Sequence, residues 1–451
     1  MPEILQTTLA FIVAIAALIA IHEYGHFIVA RKLGVKVEKF SIGFGPALFS
    51  WPSRDGEVTY VIAAIPLGGY VKMFGENASD LSAQKHLISE KDHKRAFDAQ
   101  PVWVRAAIAA AGPAFNFMFA IVAYMIIAWV GQDVVPPVVG EVYQASRAQS
   151  VGIRPGDRVL RIDDRTVHSW QEMEETLKQA VGHTVMVEVR RGDARQRLRL
   201  TVPQAEQDPM MVNVADELVG ISPDVRLVVD TVMPDMPAAN AGLHGGDVIR
   251  EVEGLPVNNI RKFIHIIQSH NGDPVSIGVQ RDNTMLRFSV APKEDDKGHV
   301  RIGVRLSTQA NYELETYRMG MVSGLVYGFA RTWDMTVMTL QVIGKMISSS
   351  ISAENLGGPI AIAQLAGKTA QLGMISFLSF LALISVNLAV LNLLPVPVLD
   401  GGHLLYLAIE RIRGKPLSTS VMEWTQAIGV FMIAALMIFA FYNDLARLFR
   451  G

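Results

Sequence analysis

Four stretches of the chain carry no Asp, Glu, Lys or Arg: residues 4–21, 106–131, 369–399 and 424–442. Each is long enough to cross a hydrocarbon layer of ~30 Å at ~1.5 Å per residue, so the pattern predicts four transmembrane helices. Nothing basic precedes the first stretch, where Glu3 is the only charged side chain, and it reads as a retained span rather than a removed leader. Basic residues close to the span ends set the orientation. Arg31, Lys32, Lys36 and Lys39 follow the first span, and Lys91, Lys94, Arg95 and Arg105 precede the second, which puts the loop 31–105 in the cytoplasm. Arg411, Arg413 and Lys415 put the loop 400–423 on the same side. The long region 132–368 and the tail 443–451 then face outward, with Arg447 and Arg450 running against the rule.

The outer region has a different texture, with short alternating strands and a repeat. Val151, Gly152, Ile153, Arg154, Pro155, Gly156 and Asp157 are echoed by Ala241, Gly242, Leu243, His244, Gly245, Gly246 and Asp247, and Gly242 stands 90 positions after Gly152. The register continues without a gap through Val159 and Ile249, then Val167 and Val257, and each copy enters a helical pattern at 170–180 and 259–269. Two tandem β-rich modules follow, 132–220 and 221–310. Their Gly-Asp turn resembles that of PDZ domains, which hold a chain end or an added strand along a sheet edge. The fold class expected is a polytopic α-helical membrane protein of four transmembrane helices, with two tandem PDZ-like modules inserted between the second and third spans. Within the following region 311–368, residues 318–345 are apolar but interrupted by Arg331 and Asp334, and read as an amphipathic helix at the outer membrane surface. A fifth span is the competing reading.

Composition fits this picture. Of 451 residues, 50% are hydrophobic and 19% charged, with a positive mean hydropathy of +0.27. A net charge of −2 offers no basic field for nucleic acid. The absence of cysteine excludes disulfides, thiolate zinc sites and a Cys nucleophile, so any metal must be held by His and carboxylate.

Such a set exists. His22, Glu23, Tyr24, Gly25 and His26 continue directly from the first span, and an H-E-x-x-H pattern on a helix sets two imidazoles on one face, where one metal can take both. Ionisable groups at the end of a span are costly and read as functional by default. A catalytic zinc needs a third protein ligand, and none follows at metzincin spacing. Asp400, in the run Asn392, Pro395, Pro397, Asp400, Gly401, is the best candidate, although Asp-Gly is also a common turn. Its depth and side match those of His22 and His26 only if the region before residue 369 does not cross the membrane, which is why the surface helix is preferred to a fifth span. Residues 59–73 read as a β-hairpin with its turn near 66–69, either an ordinary cytoplasmic hairpin or an edge that accepts substrate as an added strand.

An H-E-x-x-H on the first span, an Asn-x-x-Pro-x-Pro-x-x-Asp-Gly on the third and inserted PDZ-like modules together resemble the site-2 protease family of intramembrane zinc metalloproteases. The resemblance covers essentially the whole chain. It implies that His22, His26 and Asp400 bind Zn2+ and that Glu23 is the catalytic base. It further implies substrate contacts at Asn387, Asn392, Pro395 and Pro397, at Asn116 of the Gly112, Pro113, Asn116 motif, and at Gly68, Gly69 and Val71 of a membrane-associated β-loop. By the same resemblance the protein sits in a bacterial inner membrane with its active site toward the cytoplasm and its modules in the periplasm. Its substrates are then single-span proteins, anti-sigma factors of the RseA type and remnant signal peptides, cut during regulated intramembrane proteolysis in an envelope stress response. For the modules, binding a newly made C-terminus competes with a steric filter, and the resemblance favours the filter. A membrane-anchored PDZ scaffold without catalysis leaves the metal set unexplained, and a transporter finds no alternating path in four spans with one polar cluster.

Overall fold

The apolar runs fold as helices in the computed structural model, which describes residues 2–75, 90–205, 208–209, 212–257, 260–270, 272–282, 284–294, 300–310, 315–348 and 357–450. Two units separate by contact, Met1–Gln132 with Arg318–Gly451, and Asp133–Tyr317. In the first unit the chain runs through α1 (Pro2–Lys32), β1 (Val37–Pro52), β2 (Thr59–Met73) and α2 (Val102–Val130), then α3 (Met321–Ile347), α4 (Pro359–Gln371), α5 (Met374–Leu393), α6 (Asp400–Arg413) and α7 (Thr419–Arg450). Among the described residues four helices are long and apolar enough to cross a membrane, α1, α2, α5 and α7. The third stretch is shorter than its uncharged run. Thr369 still lies in the last turn of α4, Gly373 turns the chain at φ 111°, and Pro395 and Pro397 follow the end of α5 at the other side.

Small side chains set the helix contacts, as they do where lipid removes any hydrophobic drive between helices. Ala10, Ala14 and Leu18 of α1 pack on Ala366 of α4 and Phe380 of α5. Ala120, Ala123 and Tyr124 of α2 meet Ala382 and Val386 of α5. The region expected to lie at the outer surface behaves otherwise: α3 packs lengthwise along α2. A Cβ on Gly324 would stand 2.4 Å from Trp129, and one on Gly328 2.6 Å from the carbonyl of Ile121, so glycines four apart let the two backbones close together. That face outweighs the interruption by Arg331 and Asp334. α3 enters beside the C-terminal end of α2, Gly358 lies beside Ala440 and Asp444 of α7, and Gly367 of α4 lies against Thr7 of α1. Both points lie at the end of the bundle where α1 begins and α7 finishes.

The expected hairpin at 59–73 is also rearranged. Its two arms do not pair with each other, because residues 37–42 of β1 lie between them, pairing with 69–73 on one side and 59–62 on the other. Residues 47–52 pair with 59–63 on the far side, so the order across the ribbon is 69–73, 37–42, 59–63, 47–52. The sequence signal missed this because β1 itself folds back at Gly43 and Gly45, both at positive φ. Val35, Val37, Val71 and Met73 pack with Phe27 and Ala30 of α1 and Ile108 of α2, which fastens the sheet to the helices that carry the histidines.

The second unit holds two cores of similar make-up. In the first, strands Arg158–Ile162, Thr184–Arg191 and Ala194–Thr201 form a sheet over the helix Trp170–Gln179, with Met173 and Leu177 buried. In the second, Thr284–Val290, Val275–Arg281, Val248–Val252, Val225–Val232 and Val304–Ala310 form the sheet, over the helix Ile260–Ser269 with Phe263 and Ile267 buried. The boundary between them falls later than 220. Ile221–Pro223 pairs with Val139–Val142, and Ile221 is buried in the first core. The repeat extends to an ion pair. Arg191 reaches both oxygens of Asp157 (2.7 and 2.7 Å) and the carbonyl of Gly152, and Arg281, 90 positions on, reaches both oxygens of Asp247 (2.6 and 2.7 Å) and the carbonyl of Gly242.

Candidate metal centre

Because α1 runs unbroken from its apolar part into the H-E-x-x-H motif, His22 and His26 share a face that turns toward α2. The close approach depends on two glycines. A Cβ on Gly25 would lie 2.5 Å from the carbonyl of Ala111, and one on Gly112 2.3 Å from Nε2 of His26 and 2.7 Å from Nε2 of His22. Nδ1 of His26 donates to the carbonyl of Ile108 at 2.7 Å, which fixes that ring with Nε2 facing the site.

Asp400 arrives from 374 residues further along. The two prolines stop α5, Val398 takes a positive φ of 84°, and α6 starts at Asp400 itself. A β-branched residue in that region is strained, at about 1–3 kcal/mol. Gly401 and Gly402 then let the first turn of α6 lie against the loop backbone: a Cβ would come within 2.2 Å of the Leu394 carbonyl at one and 2.4 Å of the Val396 carbonyl at the other.

The three ligand groups converge. The Nε2 atoms of His22 and His26 are 3.2 Å apart, and the Asp400 oxygens lie 3.2 Å from the first and 3.5 Å from the second. Metal–ligand bonds of about 2.0–2.1 Å at tetrahedral angles set ligand atoms about 3.3 Å apart, so the spacing fits one zinc ion. Oδ2 of Asp400 is buried and makes no hydrogen bond although His22 is 3.2 Å away, which suits an oxygen aimed at a cation. Two imidazoles and a carboxylate are also the donor set of a catalytic rather than a structural zinc site, with one position left for water. The residues present fit the metal.

A groove of about 1000 Å³ opens beside this triad. Glu23 lines it next to Gly69, where a Cβ would press within 2.8 Å of the Glu23 side chain. Of the residues expected at the substrate, Gly69, Val71 and Asn392 line the groove. The others do not. Asn116 is fully buried, with its Nδ2 3.2 Å from Nδ1 of His22, behind the metal ligand and out of reach of substrate. Asn387 accepts from the Thr339 hydroxyl of α3 at 2.8 Å, an interhelical bond. Pro395 and Pro397 shape the loop before Asp400, and the Pro397 carbonyl lies against Gly429 of α7. Gly68, at φ 144°, sits under the ring of Phe44.

Among the lining residues that the sequence reading did not place at the site are Arg105, His403, Tyr406 and Glu410. Asp400, His403, Tyr406 or Leu407 and Glu410 recur at helical spacing along α6, and that stripe was a readable signal. Arg105 was visible only as an orienting charge. It grips Glu410 at 2.6 and 3.1 Å, with both side chains largely buried.

Comparison with known proteins gives the following. The model of peptidase family M50 matches residues 10–436. The regulator of sigma-E protease RseP of Salmonella typhimurium is 38% identical over 99% of this chain and 100% of its own length. A relative in Ralstonia nicotianae whose name describes a zinc metalloprotease is 40% identical over 98% of this chain and 99% of that one. Among solved structures, the PDZ domain of an SdrC-like protein from Listeria monocytogenes is 32% identical over 19% of this chain and 90% of that one, with a TM-score of 0.17.

Proposed function

The chain belongs to peptidase family M50 and is a zinc metalloprotease of the site-2 type, and from that premise we propose that it hydrolyses peptide bonds in or near the transmembrane segments of single-span membrane proteins. The observation that carries this is the triad of His22, His26 and Asp400 at the end of apolar helices, with Glu23 beside it and a groove alongside. When bound, zinc supplies Lewis acidity and brings the pKa of water at the site to about 7. Glu23 takes the proton of the attacking water and returns it to the leaving amine. Asn392, in the groove wall, donates to the developing oxyanion or to the substrate backbone.

A transmembrane helix resists cleavage because its carbonyls are already hydrogen-bonded, so the scissile stretch must first be drawn out. Residues 69–73 pair with β1 on one side while Gly69, Val71 and Met73 line the groove. An extended substrate segment adds there as a further strand and meets Glu23 at Gly69. The basic residues flanking α1, α2 and α6 favour a cytoplasmic metal centre in a bacterial inner membrane, with the β-rich unit in the periplasm. There the unit works as a size filter that admits substrates whose outer domain has already been removed. The name of the Salmonella relative supports an anti-sigma factor of the RseA type as one substrate, with remnant signal peptides as another class.

The test is reconstitution of purified protein with a single-span substrate lacking its outer domain. Glu23→Gln is expected to lower cleavage by roughly 10²–10⁴-fold with zinc content unchanged. Cleavage at the wild-type rate would contradict the proposal.

A further inference from the structure

Asn116 is a buried amide whose nitrogen faces an unsuitable partner and whose oxygen has none. A histidine that offers Nε2 to a metal carries its proton on Nδ1, so Nδ1 is a donor and the group facing it has to accept. His26 obeys this, with Nδ1 on the carbonyl of Ile108. His22 does not, because its Nδ1 faces the Asn116 NH2 at 3.2 Å, a donor against a donor. The Asn116 oxygen meanwhile is buried with no hydrogen-bond partner. Amide oxygen and nitrogen are assigned by their surroundings rather than by shape, and exchanging them puts Oδ1 on the Nδ1–H of His22. The donor–donor contact disappears and the oxygen gains a partner.

The rest of α2 supports this arrangement. Ile108, Gly112 and Asn116, four residues apart, form one stripe facing both imidazoles: a carbonyl for His26, an absent side chain against both rings, and an amide for His22. The turn carrying Asn116 is held in turn by α5, where the buried Ser385 hydroxyl donates to the Asn116 carbonyl at 2.9 Å.

We propose that Asn116 is a positioning residue that accepts a hydrogen bond from Nδ1 of His22 through its side-chain oxygen and so holds Nε2 toward the metal. This rests on the zinc reading given above, and its effect is on metal retention. Zinc release to a chromophoric chelator is measured on the full chain in detergent, for variants that elute as a single species. Asn116→Leu, close in size but without an acceptor, is expected to release zinc roughly 10–100-fold faster than wild type. Asn116→Asp keeps an acceptor at the same place and is expected to release it no faster than wild type. A Leu variant that keeps zinc as wild type does, or an Asp variant that loses it as fast as the Leu variant, overturns the assignment. Should the Leu variant not fold, the Asp variant decides alone, with faster release than wild type counting against. A wild type that holds no zinc overturns the metalloprotease reading and this one with it, whereas the variant pattern bears on Asn116 only.

Discussion

A guanidinium gripping a carboxylate at two points recurs in both units of the molecule, and the repeated pair of the β-rich unit spans a far shorter range than the pair beside the metal ligands. In the β-rich unit Arg191 holds Asp157 and Arg281 holds Asp247, each across 34 residues, and each tie closes a loop inside its own module. In the membrane unit Arg105 holds Glu410 across 305 residues. That tie joins the start of α2, whose later turns face the histidines, to the far end of the helix that begins with Asp400. Damage to either of these two pairs stays local to its own module, whereas Arg158 ties the first module to Glu315 beyond the second. The candidate metal centre is assembled from distant parts, and damage to its pair is expected to reach a ligand.

Replacing residues 137–307 with a short linker would break the comparison most severely. If the β-rich unit only filters, the shortened chain cleaves an intact substrate with a large outer domain that the full chain leaves uncut. An intact substrate still uncut by the shortened chain contradicts the filter. Next in size is Glu410→Gln, which leaves Arg105 buried without its partner, a loss of about 3 kcal/mol. Lower thermal stability and faster zinc release are both expected, with partial recovery in the charge-reversed double variant Arg105→Glu with Glu410→Arg. Unchanged zinc release would show that the tie serves only packing.

The smallest effect belongs to Asp247. Burial alone would raise its carboxyl, but Arg281 and the His244 N–H hold it below the ordinary value of 3.8. The stability this contributes is full above that value and is lost as pH falls through the lower folded-state pKa. Asp247→Asn is expected to cost about 1 kcal/mol at neutral pH, read as roughly fivefold faster hydrogen exchange along residues 248–281. Cleavage of a substrate without an outer domain stays as in wild type. A change in that cleavage would mean the modules act on the chemistry directly.

The same contrast governs how much of the molecule could be read from sequence. The repeat was legible from its turn to its helix, because local turns and short-range contacts repeat with the residues that make them, whereas the Arg191 and Arg281 pairs emerged only from the fold. His22 and His26 were legible because one helical turn relates them, and Asp400 because the count of spans put it at their end. What escaped depends on long-range packing. Residues 37–42 insert between the two arms of the supposed hairpin, α3 lies along α2 on the face of Gly324 and Gly328, and Asn116 turns toward a histidine 94 positions earlier. Residue type told that Asn116 was polar in an apolar span, but not which neighbour it serves.

The central claim is that residues near opposite ends of the chain close one zinc site. Elemental analysis of detergent-purified wild type and Asp400→Ala, each eluting as a single species, tests it most directly. The account predicts about one zinc per wild-type chain and sharply less in the variant. A well-folded wild type without zinc, or equal zinc in both, would contradict it.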